Sequence, residues 1–94
     1  MKINDYQYNA MLFRKDYPKI GDVLGLAGEA GEVTELYKKF IRGDGKLDKS
    51  ELLLELGDVL WYVSAVAHNA GFTLAEVASA NLNKLEERHG KSQL

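Results

Sequence analysis

EAGEV at residues 29–33 returns as ELGDV at residues 55–59. Each copy spells acid, spacer, glycine, acid, valine, and each sits in a stretch that reads as helix interior. Setting Glu29 at zero and advancing ~100° per residue places Phe40, Val33, Leu26, Tyr37, Ala30, Val23 and Ile41 in one arc from about 20° to 120°. Glu32 falls at about −60°, beside Glu29 on the edge of that arc. The same construction from Glu55 gathers Val66, Val59, Leu52, Val63, Leu56 and Leu60, with Asp58 at about −60°. Two helices therefore carry one wheel. Packed antiparallel, they bring two acid pairs to a shared rim of the core.

Punctuation delimits four helices around this pair. The first is predicted from about Asn4 to Asp16, with Asn4 as N-cap and Pro18 beyond its end. The second runs from near Gly21 to Arg42, with Gly43 at the C-terminal position. GDGK at 43–46 is a turn. DKSE at 48–51 is a capping box that opens a third helix ending at Gly71. TLAE at 73–76 repeats the device and opens a fourth, which fades near Gly90. No window alternates long enough for a strand, so residues 1–94 read as one all-α domain. Short connections make consecutive helices antiparallel.

Composition removes several function classes. With no cysteine, disulfides, thiolate metal sites and cysteine nucleophiles are excluded. A net charge of −2 argues against general nucleic-acid binding, which depends on neutralising phosphates with Lys and Arg. The opening MKINDYQYNA lacks the apolar run of a leader, and no apolar stretch reaches the ~18 residues that span a bilayer. A cytoplasmic, membrane-free protein is the expectation.

Four carboxylates at one rim repel one another, and burying them unpaired is costly. A cation is the simple remedy. Oxygen ligands without His or Cys suit Mg²⁺, with Mn²⁺ as a possible substitute. A single i, i+3 acid pair is usually a solvated face, but two glycine-bearing pairs edging an apolar stripe are harder to dismiss. Gly31 and Gly57 each cost roughly 0.8–1 kcal/mol against alanine inside a helix. Close approach of a helix or ligand would compensate, and Gly25 and Gly28 add to the same cost.

A second apolar stripe, Leu54, Trp61 and Ala65, lies away from the core arc. The first and fourth helices are short, so its expected cover is another subunit, making a homodimer or a homotetramer built as a dimer of dimers. Nucleobase stacking on Trp61 or Tyr62 is the alternative use. His68 and His89 stand apart from the acids and receive no chemistry.

GLAGEAGEVTEL at 25–36 (from Gly25) followed by LLLELGDVLWYV at 52–63 resembles the MazG-like nucleotide pyrophosphohydrolases of the all-α NTP pyrophosphatase group. The similarity extends through EVASANLNKLEERHG at 76–90. Many relatives carry an additional acid directly before the first pair, where this chain has Gly28. The resemblance implies a four-helix bundle completed by oligomerisation. It also implies Mg²⁺-dependent cleavage of a (d)NTP between the α- and β-phosphates, giving a monophosphate and pyrophosphate, as in nucleotide-pool house-cleaning. Glu29, Glu32, Glu55 and Asp58 would then hold the metal, and either Glu32 or Glu29 would orient or deprotonate the attacking water.

Asn81, Lys84 and Arg88 share one stripe of the fourth helix that could hold triphosphate oxygens, Arg88 by bidentate contact. The recurrence of Asn-x-x-Lys in the relatives implies that role for Asn81 and Lys84. Lys39 is placed either to reach phosphate or to pair with Glu35. Tyr6 and Gln7 match a Tyr-Gln pair of the relatives and would help shape a base pocket. A dUTPase-like or phosphoribosyl-ATP pyrophosphatase activity is the near alternative, and a non-catalytic helical interaction module the distant one. A di-iron bundle needs a Glu-x-x-His motif on each of two helices, and only Glu86 with His89 offers one.

Overall fold

The computed structural model describes residues 1–16, 18–43 and 45–90. Four helices follow in order: α1 (Ile3–Met11), α2 (Ile20–Ile41), α3 (Lys49–Asn69) and α4 (Leu74–His89), with no strand among the described residues. The bundle is all-α, as the periodicity requires. Asp22 meets Asn69 and Gly25 meets Tyr62, so α2 and α3 run antiparallel along one another. α1 packs on α3 and α4, and α4 also touches α3. Among the described residues α2 and α4 do not meet.

The helix termini explain how α1 is seated. Thr73 Oγ1 accepts from Glu76 N–H at 3.1 Å and Glu76 Oε1 accepts from Thr73 N–H at 2.8 Å, the reciprocal box legible in TLAE. These bonds favour the ionised Glu76 carboxylate and hold it below its ordinary value. The next two orphan donors of α4 are met from α1. Gln7 Oε1 accepts from Leu74 N–H at 2.9 Å, and Asn4 Oδ1 accepts from Ala75 N–H at 2.9 Å. Asn4 therefore caps α4 rather than its own helix, which starts at Ile3 without a side-chain cap. α1 also ends earlier than expected, at Met11 and not near Asp16. Phe13 and Arg14 bond back three residues, to Ala10 and Met11, and this tightened turn aims Arg14 at α2.

Arg14 Nη2 donates to Asp22 Oδ2 at 2.6 Å, and Asn69 Nδ2 donates to the same oxygen at 2.7 Å. Asp22 is fully buried. It falls on the apolar arc of α2, and a carboxylate there is tolerable only because it is paired and hydrogen-bonded. At the other end of the pair, Asp48 Oδ1 caps α3 by accepting from Glu51 N–H. Gly43 and Gly71 take φ of 81° and 85° just past α2 and α3, the left-handed geometry that ends helices. Asp44, within the expected 43–46 turn, lies outside the described residues.

The hydrophobic core departs from the wheel. The buried apolar residues are Ala10, Ala65, Ala67 and Leu74, while Val23, Tyr37, Phe40, Ile41 and Leu56 of the expected arcs are exposed. The radius of gyration is 15.8 Å, against roughly 12 Å for a compact domain of this length. The accessible surface is 7299 Å², against roughly 5,400 Å² for a monomer of this mass. α3 covers α2 along one side, and among the described residues no other helix packs against α2. The second stripe also behaves differently from the expectation. Ala65 is fully buried, and Trp61 Nε1 donates to the Ala10 carbonyl at 3.0 Å, so α1 of the same chain covers both. Leu54 alone of that stripe remains exposed.

Removing Asp22 should therefore be costly. Asp22→Ala leaves Arg14 and Asn69 without their shared acceptor, and is expected to lose about 3 kcal/mol in chemical denaturation. Glu35→Ala, which breaks the exposed Lys38–Glu35 pair at 3.3 Å, should cost under about 0.5 kcal/mol. Equal losses would remove the buried pair from the account of the fold.

Candidate functional site

Antiparallel packing of α2 on α3 brings Glu29, Glu55 and Asp58 together, each offering one carboxylate oxygen within 4.8 Å of the others. Glu29 and Glu55 are half-buried and Asp58 is exposed. Oε2 of Glu55 is shielded from solvent and has no hydrogen-bond partner. Its carboxyl is raised above the ordinary value of 4.5, by desolvation first and then by the charges of Glu29, Asp58, Glu32 and Glu51. Glu32 thus acts on Glu55 electrostatically while standing outside the close trio, on the exposed side of α2. The Tyr6 phenol of α1 is raised above 10.0, by burial and then by the negative charge of Asp58, which places it within electrostatic reach of the trio.

Beside the carboxylates opens a cleft of about 350 Å³ lined by Glu29, Asp58, Trp61 and Tyr62. Trp61 and Tyr62 stand edge to face with centroids 5.0 Å apart. Acid oxygens and aromatic faces therefore share one opening, the combination that a phosphate-bearing, planar ligand with a counter-cation would use.

The trio passes a chemical test for such a cation. Three hard oxygen donors converge, one has a shielded oxygen lacking any donor, and no His or Arg of the described residues is paired with them. Mg²⁺ or Mn²⁺ fits this donor set.

The remaining residues singled out in the sequence disperse. Asn81 and Lys84 line a separate groove of about 600 Å³ with Phe72, Glu76, Val77 and Ala80, and Arg88 is exposed further along α4. None of these lines the acid cleft. Lys39 is exposed, and it is Lys38 that pairs with Glu35. Gln7 is a buried part of the framework. Its Nε2 donates to the carbonyls of Ser64 at 3.3 Å and Phe72 at 3.1 Å, which uses both amide hydrogens. Its Oε1 accepts from Leu74 N–H, so its polar atoms serve the junction of α1, α3 and α4. Glu86 and His89 are exposed and join no group of metal ligands among the described residues. Gly31 and Gly57 face open space, whereas Gly25 is pressed by the Tyr62 ring. Sequence reading missed Asp22, although the helical wheel placed it at about 20°, a charge inside the apolar arc.

Glu55 makes the acid cluster visible without ligand. The folded, metal-free protein retains a proton on Glu55 at pH values where the unfolded chain has released it. Folding stability in chelator should therefore fall as pH rises from about 4.5 through the raised folded-state value. Glu55→Gln cannot titrate, so it should match wild type below that window and exceed it in stability above. Equal stabilities at neutral pH would show that the repulsion is absent.

The chain matches the MazG nucleotide pyrophosphohydrolase domain over residues 20–92. It is 40% identical over 86 residues to the Gene 37 protein of Mycobacterium phage L5, an alignment that covers 77% of this chain and 75% of that protein. No solved structure matches it significantly. The matched span holds all four acids and the α4 stripe. α1, with Tyr6 and Gln7, lies before it.

Proposed function

Because the chain belongs to the MazG nucleotide pyrophosphohydrolase family, we propose that it hydrolyses a (d)NTP to the monophosphate and pyrophosphate, using a divalent cation held by Glu29, Glu55 and Asp58. The observation that carries this reading is the convergence of those three carboxylates around the partnerless Oε2 of Glu55. Bound there, Mg²⁺ would neutralise phosphate oxygens and lower the pKa of a water.

The protein's own groups would do the rest. Glu32 stands outside the trio on an exposed face, within electrostatic range of Glu55. It can accept the proton of a water that attacks the α-phosphorus as the bond to the bridging oxygen of the β-phosphate breaks. The electron pair of that bond leaves with pyrophosphate. Trp61 and Tyr62 line the cleft together with Glu29 and Asp58 and would take the planar end of the nucleotide.

Lys84 and Asn81 offer cationic and amide donors to the departing phosphates, but within one chain their groove is separate from the acids. The excess surface and the exposed Val23, Tyr37, Phe40 and Leu56 favour a homodimer or homotetramer in which a second copy completes the core. In that assembly the α4 stripe of one copy would approach the acids of another. Among the described residues no helix is long and apolar enough to cross a membrane.

The deciding experiment offers a panel of ribo- and deoxyribonucleoside triphosphates with Mg²⁺ and scores pyrophosphate against orthophosphate. Pyrophosphate should appear and cease in EDTA. Asp58→Asn keeps the side chain's size while removing one ligand charge, and turnover should drop by a factor on the order of 10² or more. Its metal-free melting temperature should hold or rise, since one of several mutually repelling carboxylates is neutralised. Near-normal turnover in this variant would sink the assignment. Sedimentation at micromolar concentration should show a dimer or tetramer, and a stable monomer would exclude the completed core.

A further inference from the structure

Gly25 lies on α2 one turn before Glu29, and Tyr62 lies on α3 one turn after Asp58. Antiparallel packing sets them opposite each other. A Cβ on Gly25 would lie 2.5 Å from Cζ and 2.7 Å from Cδ1 of the Tyr62 ring, whereas Gly28, Gly31 and Gly57 face open space. Carbon atoms rest ~3.5–4.0 Å apart, and Cε1 would lie nearer still, so with any larger residue at 25 the ring would have to move by more than about 1 Å. The same ring stands edge to face with Trp61, which is anchored by its bond to the Ala10 carbonyl. Tyr62 is one wall of the cleft, together with Glu29 and Asp58, so a displaced ring changes the shape of that opening.

We infer that Gly25 is a positioning residue: its missing Cβ seats the Tyr62 ring, and the seated ring sets the width of the cleft in which a nucleotide lies against Glu29 and Asp58. This rests on the hydrolase reading of that cleft and adds to it a residue that touches no substrate. It also explains why α2 tolerates a glycine here, where alanine would be the better helix former.

The test uses the full chain and four variants: Gly25→Ala, Gly28→Ala, Tyr62→Ala, and Gly25→Ala combined with Tyr62→Ala. Trp61 is the single tryptophan, so its emission reports both the seating of Tyr62 and the binding of a non-hydrolysable α,β-methylene triphosphate analogue. Gly25→Ala should shift the emission of the unliganded protein. It should raise KM and the analogue Kd about tenfold, with kcat changed less than about threefold and Mg²⁺ affinity unaltered. Gly28→Ala, with the same gain in helix propensity, should leave KM at the wild-type value. In the Tyr62→Ala background, Gly25→Ala should add nothing to KM and should raise the melting temperature, because the clash is gone and the propensity gain remains.

Additive effects in the double variant would overturn the inference. So would a Gly28→Ala effect of the same size, or a fall in kcat with KM unmoved. If Gly25→Ala does not fold, Tyr62→Ala decides, since an unchanged KM there means the ring is no wall. A wild type that binds the analogue but releases no pyrophosphate ends the hydrolase reading while the binding arm still judges Gly25. A wild type that does neither ends both.

Discussion

Mutual repulsion among Glu29, Glu55 and Asp58 is the constraint around which this structure is arranged, because a carboxylate cluster at a half-buried helix interface can persist only if the helices are held together by something else. That restraint lies at the far end of the α2–α3 pair. Asp22, fully buried, accepts from Arg14 and Asn69, and so ties the turn after α1, the start of α2 and the end of α3 into one knot. One buried carboxylate is satisfied by donors of the protein. The other, Glu55, keeps an oxygen without a donor. The contrast separates a carboxylate that the fold satisfies from one that the fold leaves without a donor.

α1 is the second requirement. It is short and would be marginal alone, yet its polar side chains reach across to complete other elements. Gln7 and Asn4 supply the missing acceptors at the start of α4, and the Ala10 carbonyl receives the Trp61 indole. Through these bonds α1 orients α4 and fixes one wall of the acid cleft, and it also presents Tyr6 to the field of Asp58.

The apolar faces left open are continuous with this plan. α2 is covered by α3 on one side, and among the described residues no other helix packs on it, which leaves part of its apolar face open. Part of the surplus surface falls on wheel positions that the sequence marks as interior, Val23, Tyr37, Phe40, Ile41 and Leu56 among them.

Periodicity, caps and glycine positions made the helical architecture legible, because these are local properties with a fixed geometric period. Thr73 with Glu76 is an example in which the spacing alone dictates the bonds that form. The two acid motifs were likewise legible as a site, since i, i+3 spacing places both acids of each helix on one face whatever surrounds them. Only the tertiary structure decided which acids meet: Glu32 stands apart from the trio because α3 approaches α2 on the side of Glu29. It also took Gln7 into the framework, turned Asn4 into the cap of a distant helix, covered Trp61 with α1 and gave Gly25 to Tyr62. Each of these outcomes joins residues far apart in the chain. The sequence records what a side chain can donate, accept or leave vacant, and packing alone selects the partner.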